Sequence, residues 1–161
     1  MSVTSVEKNL DSLTITLVAD FDAPIERVWQ LWADPRKLER WWGPPSYPAT
    51  VEKYDLTPGG DVTYVMTGPD GDQPRGWWRV TSVNPPKSLE FTDGFANEDG
   101  TPNADMPITR VHIQLTEHGG GTRMELRSVF ESREQMAQLV SMGADEGLQE
   151  AVGQMEALLA D

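Results

Sequence analysis

The C-terminal run of residues 132–160 contains no proline, and it constrains the fold most because it is the one segment long enough for a major helix. Ser132, followed three residues later by Gln135, forms a capping-box pattern that marks the helix start. Apolar residues then recur every three or four positions and predict one continuous buried stripe: Ala137, Val140, Ala144, Leu148, Val152, Met155 and Leu159. A sheet wrapped around this helix is the natural partner of the stripe.

Three glycines lie inside the predicted helix, at Gly143, Gly147 and Gly153, and each costs about 1 kcal/mol relative to alanine in a helix interior. Gly143 and Gly147 are four residues apart and therefore share one helix face. The pair is compatible with three roles, namely a close backbone approach, a bend, or empty volume beside the helix.

Turn signals divide the preceding residues into short elements. Residues 13–21 alternate apolar and polar side chains, which predicts a first strand. Two short helices are expected to follow, introduced by Pro24 and Pro35. About six further strands are predicted within residues 50–130, and the last two form a hairpin around residues 119–121.

Charge and composition narrow the functional classes. The chain of 161 residues has 26 acidic and 13 basic side chains, a formal net charge of −13, which disfavours a nucleic-acid or membrane partner. The absence of cysteine excludes disulfides and fits a reducing compartment. We therefore expect a soluble cytoplasmic protein, with a single domain over residues 1–161 and a flexible N-terminal segment over residues 1–11.

Several short motifs occur in a definite order along the chain: residues 21–24 before Val28 and Trp29, then residues 41–44, 58–60, 83–86 and 121–123. Together they resemble the activator of ninety-kilodalton heat-shock protein ATPase homologue-like family, over roughly residues 13–160. That family belongs to the SRPBCC superfamily, also called START, birch-pollen-allergen-like or polyketide cyclase-like.

The resemblance implies an α+β helix-grip fold. In that fold a curved seven-stranded antiparallel sheet wraps around a long C-terminal helix, two short helices follow the first strand, and a hydrophobic cavity lies between sheet and helix. The superfamily includes lipid carriers, cyclase-like enzymes and chaperone regulators, so the resemblance implies a cavity rather than one activity.

Aromatic residues and one helix face supply the candidate contacts of a ligand in this cavity, because small-molecule sites are mostly apolar with few polar anchors. For each aromatic the alternative is plain core packing, and for Glu146 it is a solvated charge on the helix surface. The candidates are Trp41, Trp42, Tyr47, Tyr64, Met66, Trp78, Phe91, Phe95, Leu139, Met142, Gly143 and Glu146.

These observations favour non-enzymatic binding of a small hydrophobic or aromatic ligand. One alternative is a cyclase- or hydrolase-type enzyme, which would need a buried acid or base from Glu146, Tyr64 or His112. The other is a chaperone-associated interaction module that uses an exposed sheet face. A homodimer formed through an exposed strand is compatible with all three.

No catalytic residue, cofactor or metal site is predicted. His112 and His118 are both expected at exposed positions, and the sequence has no HExxH pattern.

Overall fold

The computed structural model describes residues 3–160. Its α+β fold is built on one open antiparallel sheet of eight strands. The strands are β1 (Val3–Asn9), β2 (Thr14–Phe21), β3 (Ala49–Tyr54), β4 (Asp61–Met66), β5 (Arg75–Asn84), β6 (Ser88–Ala96), β7 (Ile108–His118) and β8 (Gly121–Phe130). Their spatial order is β1-β2-β8-β7-β6-β5-β4-β3, so β1 and β3 are the edges.

Helices follow the second strand and the last strand. The helices α1 (Ile25–Ala33) and α2 (Pro35–Leu38) are the predicted short pair after β2. Three helices end the chain: α3 (Arg133–Ser141), α4 (Ala144–Gly153) and α5 (Met155–Leu159). Within residues 3–160 no helix combines the length and the apolar character needed to cross a membrane.

The structure corrects two predictions. The sheet has eight strands rather than seven, and most of the segment predicted to be flexible over residues 1–11 forms a strand. Val3–Asn9 forms β1, which pairs with β2 in antiparallel register. The sequence of this segment shows no clear strand pattern because an edge strand buries few side chains. In β1, Val3 and Val6 pack against the core. Met1 and Ser2 of the predicted segment, and Asp161 at the far end of the predicted domain, lie outside the described residues.

The single long C-terminal helix is the third correction. Ser132 caps α3 as predicted, accepting a hydrogen bond from the Gln135 backbone N–H at 3.1 Å. The helix then ends because Gly143 adopts a left-handed conformation with φ of 84°, and α4 starts afresh from it. Ala144 of the predicted stripe, directly after the break, is exposed, and so is Ala137 on α3.

A cluster of aromatic side chains fills the core between α1 and the sheet. The fully buried Trp32 ring lies 4.6 Å from the Trp41 ring centroid and 6.0 Å from that of Trp42. Trp78 and Phe91 stack against each other at 3.8 Å on the inner face of the sheet. Edge-on and stacked aromatic contacts of this kind stabilise a core beyond the area they bury.

Replacing Trp32 with alanine should lower the free energy of unfolding by about 3–5 kcal/mol, because the cluster would lose its central ring and keep a cavity. Urea unfolding of the variant measures this loss. Trp77→Ala is the matched control, since Trp77 is only partly buried. A loss no larger for Trp32→Ala than for the control would contradict the assignment of Trp32 to the centre of the core.

Candidate functional site

A cavity of about 330 Å³ lies between the inner face of the sheet and the helices α3 and α4. This volume is at the lower end of the roughly 300–1,000 Å³ typical of small-molecule sites. The walls are mainly apolar, with side chains such as Val111, Leu126 and Phe130 from the central strands and Leu148 from α4. Met142 stands at the rim, where it is 52% exposed.

The structure brings a large part of the predicted site residues to this cavity. The predicted residues that line it are Trp42, Tyr64, Met66, Phe95, Leu139, Met142 and Gly143. They come from the loop after α2, from β4 and β6 on either side of β5, and from the end of α3, so the wall combines distant parts of the chain.

The remaining predicted residues lie elsewhere. Trp41, Trp78 and Phe91 are buried in the aromatic cluster, where Trp41 also donates its indole N–H to the Leu31 carbonyl oxygen at 2.8 Å. Tyr47 lies in the loop before β3, and its hydroxyl donates to Asp72 at 2.7 Å.

Glu146 is the clearest correction to the predicted site, because its side chain is exposed and does not line the cavity. The prediction assumed one continuous helix through Gly143. The break at Gly143 resets the phase of α4, and the neighbouring Asp145 is turned inward instead.

Gly143 and Gly147 both border open space. A Cβ atom built on Gly143 or on Gly147 would meet no heavy atom within 4 Å. Of the three roles compatible with the sequence, the structure shows a helix break at Gly143 and empty volume beside Gly147, and it shows no close backbone approach at either residue.

Tyr64 and Asp93 form a polar pair on the cavity wall. The Tyr64 hydroxyl donates a hydrogen bond to Asp93 Oδ1 at 2.8 Å. Gly76 lies opposite Tyr64 in the register of β4 and β5, and a Cβ at this position would collide with the phenol ring. Glycine at residue 76 therefore lets the Tyr64 ring lie across β5 and reach Asp93 on β6.

The environment of this pair raises the pKa of both side chains. Burial raises the pKa of Asp93 from 3.8 to about 7, although hydrogen bonds from Tyr64 and the Gly94 backbone act in the opposite direction. Burial, and then the neighbouring Asp93 carboxylate, raise the pKa of Tyr64 well above its usual range. Tyr64 is therefore a neutral donor at neutral pH, and Asp93 is near its titration midpoint.

Two indole groups stand beside the Tyr64 hydroxyl. The Nε1 atoms of Trp42 and Trp78 are buried and have no hydrogen-bond partner within the described structure. Both indole N–H groups nevertheless act on Tyr64 by lowering its pKa against the effect of burial. The Tyr64 hydroxyl itself donates to Asp93.

A second carboxylate, that of Asp145, lies on the helical wall. Its Oδ2 atom forms an ion pair with Lys8 Nζ of β1 at 2.6 Å, and the Asp145 side chain is only 7% exposed. The hydrogen bond from Lys8 holds the pKa of Asp145 below its usual range. The edge strand β1 therefore anchors the start of α4 beside the cavity.

Sequence reasoning missed Asp93, Asp145, Thr109 and Ser128, which all line the cavity. Three of them had a readable signal. Alternation from Leu89 and Phe91 puts Asp93 on the inner face, and the same rule applies to Thr109 on β7 and Ser128 on β8. Asp145 had no such signal, because its orientation depends on the helix break.

The candidate acids and bases of the enzymatic alternative do not converge. Tyr64 lines the cavity, whereas His112 Nε2 lies 3.6 Å from Glu90 Oε1, away from the cavity lining, and Glu146 is exposed. In the part of the chain that the structure describes, no group of three or more His, Cys, Asp or Glu side chains has a metal-binding arrangement.

Comparison with known proteins gives a family and several similar structures. A model described as activator of Hsp90 ATPase homolog 1-like protein matches residues 22–160. No curated protein matches the chain.

Three solved bacterial structures are similar over most of the chain. The crystal structure of Ms6760 from Mycobacterium smegmatis is 51% identical, with a TM-score of 0.90, and the match covers 98% of this chain and 96% of that one. A solution structure of an Arthrobacter aurescens protein is 48% identical, with a TM-score of 0.95, and the match covers 99% of this chain and 92% of that one. An AHSA1 protein from Silicibacter pomeroyi is 26% identical, with a TM-score of 0.73 and coverage of 91% and 97%.

Replacing Asp93 with asparagine should remove a pH-dependent loss of stability. Since the carboxyl pKa is raised on folding, the folded chain binds more protons than the unfolded chain between about pH 4 and 7, and stability falls as the pH rises through that window. Between pH 4 and pH 8, the free energy of unfolding of Asp93→Asn should therefore rise by on the order of 2–4 kcal/mol relative to that of the unmodified chain.

Urea unfolding at a series of pH values measures this difference. Asp105→Asn, which removes an exposed carboxylate outside the cavity, is the matched control and should give a curve parallel to that of the unmodified chain. A parallel curve for Asp93→Asn as well would show that Asp93 is not buried in an apolar environment.

Proposed function

We propose that this chain, which belongs to the activator of Hsp90 ATPase homolog 1-like family, binds a small hydrophobic or aromatic molecule in the cavity between the sheet and the C-terminal helices. In this proposal the protein binds its ligand without catalysing a reaction, and it is located in the cytoplasm. The family match over residues 22–160 confirms the resemblance predicted from the short sequence motifs. Members of this family and of its superfamily commonly bind hydrophobic ligands.

The observation that carries the proposal is the apolar volume left open where the C-terminal helix breaks. A well-packed interior leaves few voids larger than a water molecule, so a cavity of about 330 Å³ is too large to be ordinary packing irregularity. Apolar groups make up most of its surface. Burial of such surface is favourable when an apolar ligand displaces water from it.

Access to the cavity supports the same function. The exposed Met142 and the left-handed Gly143 form the link between α3 and α4 at the rim. Methionine is flexible and adapts its shape to different apolar partners. Gln154 holds the opposite loop, because its Nε2 donates to the Gly43 carbonyl oxygen at 2.8 Å. The mouth thus combines one adaptable side and one fixed side.

The Leu139→Trp substitution should block binding by filling the cavity, since Leu139 on α3 lines it and is buried. Phenylbutanol, a neutral molecule with an aromatic body, is a suitable probe for isothermal titration calorimetry. We expect its affinity to fall about tenfold or more in Leu139→Trp, a loss of at least about 1.4 kcal/mol.

Ala137→Trp is the matched control, because Ala137 is on the same helix, is exposed and does not line the cavity. The control should bind phenylbutanol as the unmodified chain does, and thermal unfolding should show that both variants fold. Equal affinity in the two variants would contradict binding at this cavity.

A further inference from the structure

Carboxyl groups are the charged groups of the cavity wall. Asp93 lies on β6 and Asp145 lies at the start of α4. No lysine, arginine or histidine is among the cavity-lining residues that the structure describes. A cavity that selects a fatty acid or another anion is favoured by a cation at its polar end. This cavity has carboxyl groups there, beside the uncharged indole N–H of Trp42.

The two carboxyl groups differ in what already binds them. Asp145 is paired with Lys8 at 2.6 Å, so a cation of the chain balances its charge. Asp93 has no ion-pair partner among residues 3–160, and its side-chain hydrogen bond comes from the neutral Tyr64 hydroxyl. Asp93 is therefore the cavity carboxyl that remains open to a positive charge from a ligand.

Hydrogen-bond directions at this end of the cavity favour a ligand that donates. A phenol has one O–H proton, and Tyr64 already directs it to Asp93 Oδ1. An ionised carboxylate accepts several hydrogen bonds and donates none. Above its pKa of about 7, where Asp93 is mostly ionised, it presents only acceptors to the cavity, and a ligand carboxylate would meet it as a like charge.

The aromatic side chains of the wall add to this preference. Trp42, Tyr64 and Phe95 line the same cavity as Asp93. The faces of aromatic rings attract cations, most strongly when water is excluded. The net charge of −13 acts in the same direction at longer range, because it raises the local concentration of cationic molecules.

We propose that the ligand of this cavity is an apolar molecule that carries a protonated amine, and that the ammonium group donates hydrogen bonds to Asp93 while the apolar body lies against the α3 and α4 wall. This inference rests on the proposed function and specifies its ligand class. It assigns Asp93 as the residue that determines specificity.

Three probes with the same aromatic body test the inference: phenylbutylamine, phenylbutanol and phenylbutyric acid. Calorimetric titration at pH 8 keeps the amine protonated and Asp93 mostly ionised. We expect phenylbutylamine to bind about tenfold or more tightly than phenylbutanol, and phenylbutyric acid to bind most weakly.

The Asp93→Asn variant should lower the affinity for phenylbutylamine about tenfold, to the level of phenylbutanol, and should leave phenylbutanol binding within about threefold. Asp105→Asn removes one exposed carboxylate outside the cavity and should preserve the preference for the amine. This control separates a local contact from the general field of an acidic chain.

Each outcome decides the inference. If phenylbutanol binds but the amine binds no better, or if the preference for the amine survives in Asp93→Asn, the amine assignment is wrong and the proposed function stands. If neither phenylbutanol nor phenylbutylamine binds, both are overturned. If Asp93→Asn does not fold, the ranking of the three probes on the unmodified chain still decides the inference.

Discussion

A single left-handed residue, Gly143, determines much of what this fold can do. A side chain with a Cβ adopts φ near 84° only with strain, so glycine permits the helix to stop and restart at this point. The restart turns Asp145 inward toward Lys8 and leaves Gly147 facing open volume.

The second constraint comes from the sheet, whose inner face changes from large apolar side chains at one end to polar side chains at the other. Toward the aromatic cluster the inner positions are large and apolar, as at Trp78 and Phe91. Toward the cavity they become polar at Asp93, Thr109 and Ser128. Burying a carboxyl group beside apolar walls disfavours its charged form, and the Tyr64 hydrogen bond offsets only part of that cost. Residues that lower stability in this way are often retained for function.

The sequence predicted the elements whose signals are local. Alternation and turn residues predicted the strand over residues 13–21, the six strands within residues 50–130 and the hairpin around residues 119–121, which correspond to β2 and to β3 through β8. The capping box placed the start of α3. The edge strand β1 was missed because its side chains are largely polar. The residues predicted to line the cavity included core residues such as Trp41. Periodicity separates buried from exposed side chains, but it does not separate side chains of the packed core from those that line a cavity. The inward orientation of Asp145 depends on the conformation of Gly143, which no periodic pattern encodes.

Methyl NMR of the methionines with phenylbutanol added would test the central claim, that the ligand lies in this cavity, most directly. Met66 and Met142 line the cavity, whereas Met124 and Met155 are buried in the core away from it. The account predicts saturable shifts of the Met66 and Met142 methyl resonances and unchanged positions for Met124 and Met155. Saturable binding that leaves Met66 and Met142 unshifted would contradict it.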